Sequence, residues 1–419
     1  MLVRLLLIST LLHIVELHAQ GWREQQSGVA STLSSTFFLD HLRGWAAGEY
    51  LRVLHTTNGG VTWSATDLNA PLQLPSYFLS KILFTSDQEG WIFGYDGVTF
   101  HTSDGGVQWL SSVIGPGRDL YDAAFVGTDS GWVVGDNGVI LATTNRGLNW
   151  NRQTTPTSRW LSGVSFADRM NGWAVGDHGI VLSTSDGGNR WTIKATDVCG
   201  WLADVQFVNR QTGWVNGDSA SIYTTSDGGT TWILQSKGFA LTSWGMHFVD
   251  ALNGWVVGGT PQNGSTPASS LVLHTADGGV HWQRQVSVVQ ACVFGVHFTD
   301  RDIGWAVGDQ GKIIHTSNGG LTFVTPRVGV LTDEAELLQN YPNPFNPSTT
   351  LSFSTPHSSF IILKVYDLLG REVATLVNEE IRPGSYEVNW DATSFASGVY
   401  LYRLETERFV ETKKLILIR

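Results

Sequence analysis

Apolar and polar positions along this chain follow a short grammar that keeps returning, and residues Val164 to Trp191 (VSFADRMNGWAVGDHGIVLSTSDGGNRW) show it in full. Runs rich in Val, Ile, Leu, Trp, Phe and Thr are separated by clusters of Gly, Asn and Asp, the pattern of short strands and their turns. Around this unit the runs predict four strands: Leu161 to Ala167, Gly172 to Val175, Ile180 to Ser183 and Arg190 to Lys194. The turn Gly176-Asp177-His178-Gly179 supplies the positive φ angles of a tight hairpin.

Six further copies align with this one. Phe38, Phe84, Phe125, Phe166, Phe207, Phe248 and Phe298 each stand six residues before a Gly-Trp pair. Those pairs begin at Gly44, Gly90, Gly131, Gly172, Gly213, Gly254 and Gly304, so the spacing is 46, then 41 four times, then 50 residues. A period of about 40 to 50 residues points to a propeller or a solenoid. Seven radial four-stranded sheets bury both faces against neighbours and leave only short edges. That explains the scarcity of charge inside the strands. The expectation is an all-β chain, with a seven-bladed β-propeller over residues 20–330. A ring must also be closed. Trp22 to Gln26 resembles the strand that ends later repeats, but Leu321 to Thr325 offers the last repeat a strand of its own, and the sequence leaves both open.

The third turn of each repeat is the most specific. Thr184-Ser185-Asp186-Gly187-Gly188-Asn189-Arg190-Trp191 resembles the Asp-box turn of sialidase-like propellers. Its carboxylate can accept backbone N–H groups within the turn, and its tryptophan packs below. Copies begin at Thr56, Thr102, Thr143, Thr225, Thr275 and Thr316, with asparagine at Asn58, Asn145 and Asn318 and with Phe323 ending the last. Asparagine keeps the acceptor and loses the charge, so the turn needs hydrogen bonding rather than an anion, and no calcium or other metal site is expected. The Gly-Trp-Ala-Val-Gly-Asp element followed by Asp-Gly-Gly, repeated over roughly residues 30 to 325, resembles the propeller of the photosystem II assembly and stability factor family. The resemblance implies a seven-bladed propeller that binds a protein partner. Repeats of this kind also occur in exported bacterial proteins with no link to photosynthesis.

Beyond residue 330 the pattern changes. Asn340-Tyr341-Pro342-Asn343-Pro344-Phe345-Asn346-Pro347 precedes alternating runs that include Val365-Tyr366-Asp367 and Val399-Tyr400-Leu401-Tyr402, which predict a small immunoglobulin-like β-sandwich over 341–419 after a linker at 331–340. The order of motifs, with Lys413-Lys414 in the last strand, resembles the C-terminal sorting domain of type IX secretion cargo. The resemblance implies a transport signal read by the type IX export machinery of the outer membrane. Glutamate usage agrees with a boundary near 330: none occurs between Glu89 and Glu334, and nine follow from there to the end. At the other end, Arg4 and the apolar run Leu5 to Leu12 lead to Leu17-His18-Ala19, which reads as a signal peptide over 1–19. No later stretch is long enough to span a bilayer, so no transmembrane segment is expected in the mature chain. The predicted destination is the cell surface or the medium, reached through periplasm and outer membrane.

Net charge is −11, which argues against a nucleic-acid partner. The 18 tryptophans mostly occupy fixed repeat positions and are expected to be packing residues. Cys199 and Cys292 are read as two separate thiols rather than a bridge, since repeats two apart in a ring keep their sulfurs distant. Catalysis is not expected: a sialidase-like enzyme needs an arginine cluster, a tyrosine nucleophile and carboxylates, whereas residues 90–333 have no glutamate and most aspartates are used in turns. His178, His247 and His297 lack metal-ligand spacing, His55, His101, His274 and His315 all precede the Asp-box threonine, and no phosphate-cradling loop appears, so no cofactor is expected.

The informative positions are those that break the repeat. Just before each first strand, on the rim opposite the Asp-box turns, stand Tyr77 and Phe78, Arg118 and Tyr121, Arg159 and Trp160, Trp201, Trp244 and Phe294. Of these, Arg118, Tyr121, Arg159, Trp160, Trp201, Trp244 and Phe294 are the ligand-binding candidates. Such a set can stack on a glycan or grip a peptide, or it can be blade-to-blade packing. The sixth repeat also inserts Thr260 to Ser269, a surface loop by composition. The function expected is an exported, non-catalytic binding or scaffold module for a protein or an extracellular glycan. The alternatives are a glycan-cleaving sialidase-like enzyme and an assembly factor for a photosynthetic membrane complex.

Overall fold

The structure, a computed structural model, describes residues 21–69, 78–194, 198, 200–236, 241–261, 268–285, 287–320, 324–327, 334–357, 359–381, 383–392 and 395–418. The expected signal peptide, Tyr77 and Cys199 lie outside them. Two compact units divide the chain, Gly21–Gly320 and the part from Leu321 onward.

The first unit consists of seven four-stranded antiparallel sheets. Blade 4 runs through Leu161–Phe166, Gly172–Gly176, Val181–Thr184 and Thr192–Ile193, close to the strands expected from the sequence. The first strands of blades 1 to 7 are Leu33–Phe38, Leu79–Phe84, Leu120–Val126, Leu161–Phe166, Leu202–Phe207, Thr242–Phe248 and Val293–Phe298. Each lies against the first strand of the next blade, and the seventh lies against the first. The array is therefore a closed β-propeller.

The repeat motif has a direct packing cause. The phenylalanine ring lies on the glycine of its own Gly-Trp pair, where a Cβ on Gly172 would meet Phe166 at 2.4 Å. Its other face takes the tryptophan of the preceding blade: Trp132 stacks on Phe166, Trp173 on Phe207 and Trp305 on Phe38, each at 3.5 Å. The same indoles donate across the seam, from Trp132 Nε1 to the Gly187 carbonyl at 3.0 Å and from Trp173 Nε1 to the Gly228 carbonyl at 2.9 Å. Each aromatic pair of this kind contributes about 0.5–1.5 kcal/mol beyond its burial. The tryptophans are thus packing residues, as their spacing predicts. The histidines before the Asp-box threonines stack on these indoles too, with Trp91 and His101 centroids 4.2 Å apart.

The seventh blade settles how the ring closes. Its fourth strand is Arg23–Gln25, paired antiparallel with Ile313–Thr316. Trp22, fully buried, meets Phe298 edge-on at 5.7 Å, the position that Trp191 holds against Phe166 in blade 4. Its Nε1 donates to Gln285 Oε1 at 2.8 Å. The N-terminal segment is the closing strand. Val324–Arg327, which overlaps the segment for which a place in the last blade stood open, pairs instead with Gly384–Asp391 in the C-terminal unit.

That unit is a sandwich of two four-stranded antiparallel sheets. One holds Val324–Arg327, Gly384–Asp391, Ser348–Thr355 and Glu336–Leu337; the other Glu372–Ile381, Ser359–Tyr366, Gly398–Glu405 and Val410–Leu417. Leu351, Phe353, Leu363, Trp390, Tyr402 and Leu415 fill its interior. Asn340, from the Pro-rich motif, is buried and donates to Thr349 Oγ1 at 2.9 Å, while its own N–H reaches the Tyr402 hydroxyl. The expected boundaries shift accordingly. The propeller ends at Gly320 rather than 330, because its last strand comes from the N-terminus, and residues 331–340 are no plain linker, since Glu336–Leu337 is an edge strand of the sandwich.

Candidate functional site

One irregularity, repeated in every blade, decides what faces the propeller axis. Pairing of the first and second strands slips by one residue at the same place in all seven blades, for example between Leu120 and Asp122 and between Leu161 and Gly163. The residue left over is a β-bulge, a device that re-aims a side chain. The seven bulge residues are Ser34, Ser80, Tyr121, Ser162, Ala203, Trp244 and Phe294. All seven line one cavity of about 860 Å³. Its floor narrows into a throat of about 170 Å³ between the first strands.

The three serines are structural. Ser34 Oγ lies between the carbonyls of Ala47 in its own blade and Leu79 in the next; Ser80 bridges Phe93 and Leu120, and Ser162 bridges Val175 and Leu202. Blades 3, 6 and 7 give up this hydroxyl clamp for an aromatic ring. That exchange costs an inter-blade hydrogen bond and lines the cavity with apolar surface.

A second set of lining residues comes from the backbone bond that joins the Gly-Asp turn to the residue two before the bulge. The N–H groups of Glu49, Tyr95, Asp177, Asp218 and Asp309 donate to the carbonyls of Thr32, Phe78, Trp160, Trp201 and Cys292 at 2.9–3.0 Å. The approach is so close that a Cβ on Gly176 would stand 1.8 Å from the Trp160 carbonyl oxygen. Four turn carboxylates, Glu49, Asp177, Asp218 and Asp309, are thereby placed at the cavity, each beside the residue that leads into the first strand of its own blade.

The rings form a broken arc. Phe78 meets Tyr95 at 5.0 Å, and Tyr95 meets Tyr121 at 6.0 Å. On the other side Trp201 meets Trp244 at 5.1 Å, and Trp244 meets Phe294 at 5.4 Å. Between the two stands Trp160, 57% exposed. Five of the seven sequence candidates, Tyr121, Trp160, Trp201, Trp244 and Phe294, are brought together here. Arg118 and Arg159 are not among the lining residues. The Arg118 guanidinium turns toward Asp136, 3.9 Å away, and Arg159 donates to the His178 carbonyl at 3.3 Å. Arg159 is next to Trp160 in sequence, and neighbouring side chains on an extended segment point apart.

Sequence reasoning passed over Tyr95 and the carboxylates of Glu49, Asp177, Asp218 and Asp309, since they belong to a regular turn. It also missed the throat. There Lys81 pairs with Asp122 at 2.7 Å, Asp122 Oδ2 accepts the Val164 N–H, and Asp204 Oδ2 accepts the Met246 N–H. His247 and His297 accept the N–H groups of Phe298 and Phe38 through Nδ1. Burial pushes Asp204 well above the usual carboxylate range, with the Asp122 charge adding to it. Burial likewise lowers His247 to about 4 and holds His297 well below its ordinary value. Lys81 keeps its charge, since Asp122 and Asp204 outweigh the burial cost. At the mouth, burial and then Glu49 raise Asp309. Burial, then Asp119, Tyr95 and Asp136, hold the Tyr121 phenol well above its ordinary value, so it stays neutral. The buried Cys292 thiol is pushed up to about 12, which leaves it protonated rather than nucleophilic.

A family described as "Photosynthesis system II assembly factor YCF48" matches residues 14–117, 114–197 and 195–287. The chain belongs to the YCF48 family. A second family, "Secretion system C-terminal sorting domain", matches residues 339–418, which makes this member of the YCF48 family an exported propeller with a type IX sorting tail. Among solved structures, "YCF48 bound to D1 peptide" is 20% identical, with a TM-score of 0.59 over 71% of this chain and 95% of that one. "YCF48 from Cyanidioschyzon merolae" is also 20% identical, with a TM-score of 0.57 over 71% of this chain and 98% of that one. The WD40 propeller domain of Doa1 is similar at 9% identity and a TM-score of 0.56, over 71% of this chain and 97% of that one. At such identities the likeness is one of fold. No curated protein matches. No helix of the described residues is long and apolar enough to cross a membrane.

Proposed function

We propose that this chain is a non-catalytic peptide-binding propeller, delivered to the cell surface or medium by its sorting tail, and that its ligand seats in the aromatic cup. The observation that carries the reading is the replacement of the repeat's serine clamp by Tyr121, Trp244 and Phe294 at the bulge, beside the exposed Trp160 and the half-buried Trp201. Packing between blades is served by the serine clamp of blades 1, 2 and 4, which these rings do not make. Support also comes from the YCF48 structure bound to a D1 peptide, a relative that holds a peptide on the same fold. An assembly factor for a photosynthetic complex is a special case of this reading, with a membrane-protein segment as the peptide. An extracellular glycan has no such support.

The test is capture on peptide and glycan arrays by the full chain, alongside a Trp160→Ala, Trp201→Ala, Trp244→Ala variant checked for unchanged circular dichroism. Peptide binding that the variant loses supports the reading. Equal binding by both moves the site elsewhere, and capture of glycans alone overturns the partner class. The catalytic alternative has one observation in its favour, two carboxylates, Glu49 and Asp309, meeting at Thr32 at the mouth. Both carboxylates are held by Thr32, through its N–H and its hydroxyl, and no arginine among the described residues lines the cup. We expect no hydrolysis from a panel of fluorogenic glycosides, and turnover abolished by Glu49→Gln would reinstate the enzyme.

A further inference from the structure

The charge of the cup selects the peptide. Among the described residues its lining includes four carboxylates, Glu49, Asp177, Asp218 and Asp309, and neither lysine nor arginine. None of the four makes an ion pair with a described Lys or Arg, and Asp177 has only the neighbouring His178 ring at 2.7 Å. The nearby cations are already committed: Arg118 to Asp136, Arg159 to a carbonyl, and Lys81, at the throat, to Asp122. Asp136 Oδ1, just outside the lining, is buried with no hydrogen-bond partner. The cup thus has a surplus of negative charge that no described lysine or arginine of the propeller neutralises.

The remaining lining chemistry agrees. The serine hydroxyls are used between blades, so the surfaces open to a ligand are the carboxylates and the faces of Phe78, Tyr95, Tyr121, Trp160, Trp201 and Trp244. Aromatic faces attract a cation through their quadrupole, most strongly once water is excluded. Carboxylates around them supply the long-range pull, and a concave mouth focuses that field. Anionic sugars and acidic peptides are repelled by the same arrangement.

We infer that the cup accepts a lysine or arginine side chain of a protein segment, with the rings packing along its alkyl stem and the turn carboxylates pairing with its head. This rests on the peptide-binding reading and deepens it by fixing the ligand's charge. The test uses the full chain and a peptide array in which one central position is varied through Lys, Arg, Gln, norleucine and Glu. Calorimetry of the best Lys or Arg peptide and its Gln counterpart follows at low and high salt.

The expected result is at least a tenfold preference for Lys or Arg, weakened by salt. Asp177→Asn, Asp218→Asn and Asp309→Asn together should erase that preference, since asparagine keeps the acceptor oxygens that hold the turns. Asp87→Asn, Asp104→Asn and Asp302→Asn together, on the Asp-box rim, remove the same three charges and should leave it intact. Peptides captured at the cup with Gln or norleucine equal to Lys would overturn this inference and leave peptide binding standing. Absence of any peptide capture would overturn both.

Discussion

Asn58 stands in blade 1 where Asp186 stands in blade 4, and the two make the same bonds. Each accepts the threonine hydroxyl two residues back at 2.8–2.9 Å and the backbone N–H four residues on at 2.9 Å. The turn uses an oxygen and has no need of its charge. Asp186→Asn should therefore leave the melting temperature of the propeller unchanged, whereas Asp186→Ala should lower it, and differential scanning calorimetry of both variants reads the difference. The throat behaves in the opposite way, because there the charge is the costly part. Asp204 titrates above the ordinary aspartate value of about 4. The stability tied to its protonation is fully present below that unfolded value and is lost as pH rises through the folded one. His247 and His297 are depressed instead, so their share is present above about 6.5 and is lost as pH falls through their lowered folded values, about 4 for His247. The groups oppose each other in wild type, and a difference measurement isolates one of them. The melting temperature of Asp204→Asn minus that of wild type should be more positive at pH 8 than at pH 5. An unchanged difference would show that the carboxylate is not buried as described.

At the scale of strands, what was legible in the sequence and what was not have separate physical causes. Blade count, the strand order within a blade and the packing role of the tryptophans follow from Phe, Gly and Trp at fixed spacing, because a ring lying on a glycine leaves no freedom in either residue. The choice of closing strand stayed open since Trp22 to Gln26 and Leu321 to Thr325 have similar strand character. The deciding signal was one unmatched indole: six Asp-box turns end in tryptophan, the seventh in Phe323, and Trp22 has no turn of its own. Trp22→Ala should cost about 3–5 kcal/mol, as removal of a fully buried aromatic does, and urea unfolding of the purified propeller measures it. The bulges left no trace in composition, because serine, alanine and tryptophan all occupy that position. Hence the aromatic candidates were visible as breaks in the repeat, while their common orientation and the acidic turns beside them were not.

For the molecule as a whole, the compact unit Gly21–Gly320 predicts that residues 21–320 fold alone. That fragment should bind the same peptides as the full chain with equal affinity, and a weaker fragment would show that the tail contributes to the site. The ring itself joins Arg23–Gln25 to Ile313–Thr316, the propeller's earliest strand in chain order to its last repeat. Lengthening a closed loop twofold costs only about 0.6 kcal/mol, so this distance is a small burden on stability. Its effect is on timing. Until the seventh repeat has been made, the earliest strand has nowhere to go and the outer edge of the unfinished blade stays open, so the ring can only lock once, at the end, and the order in which the chain is born is the reverse of the order in which its first strand is used.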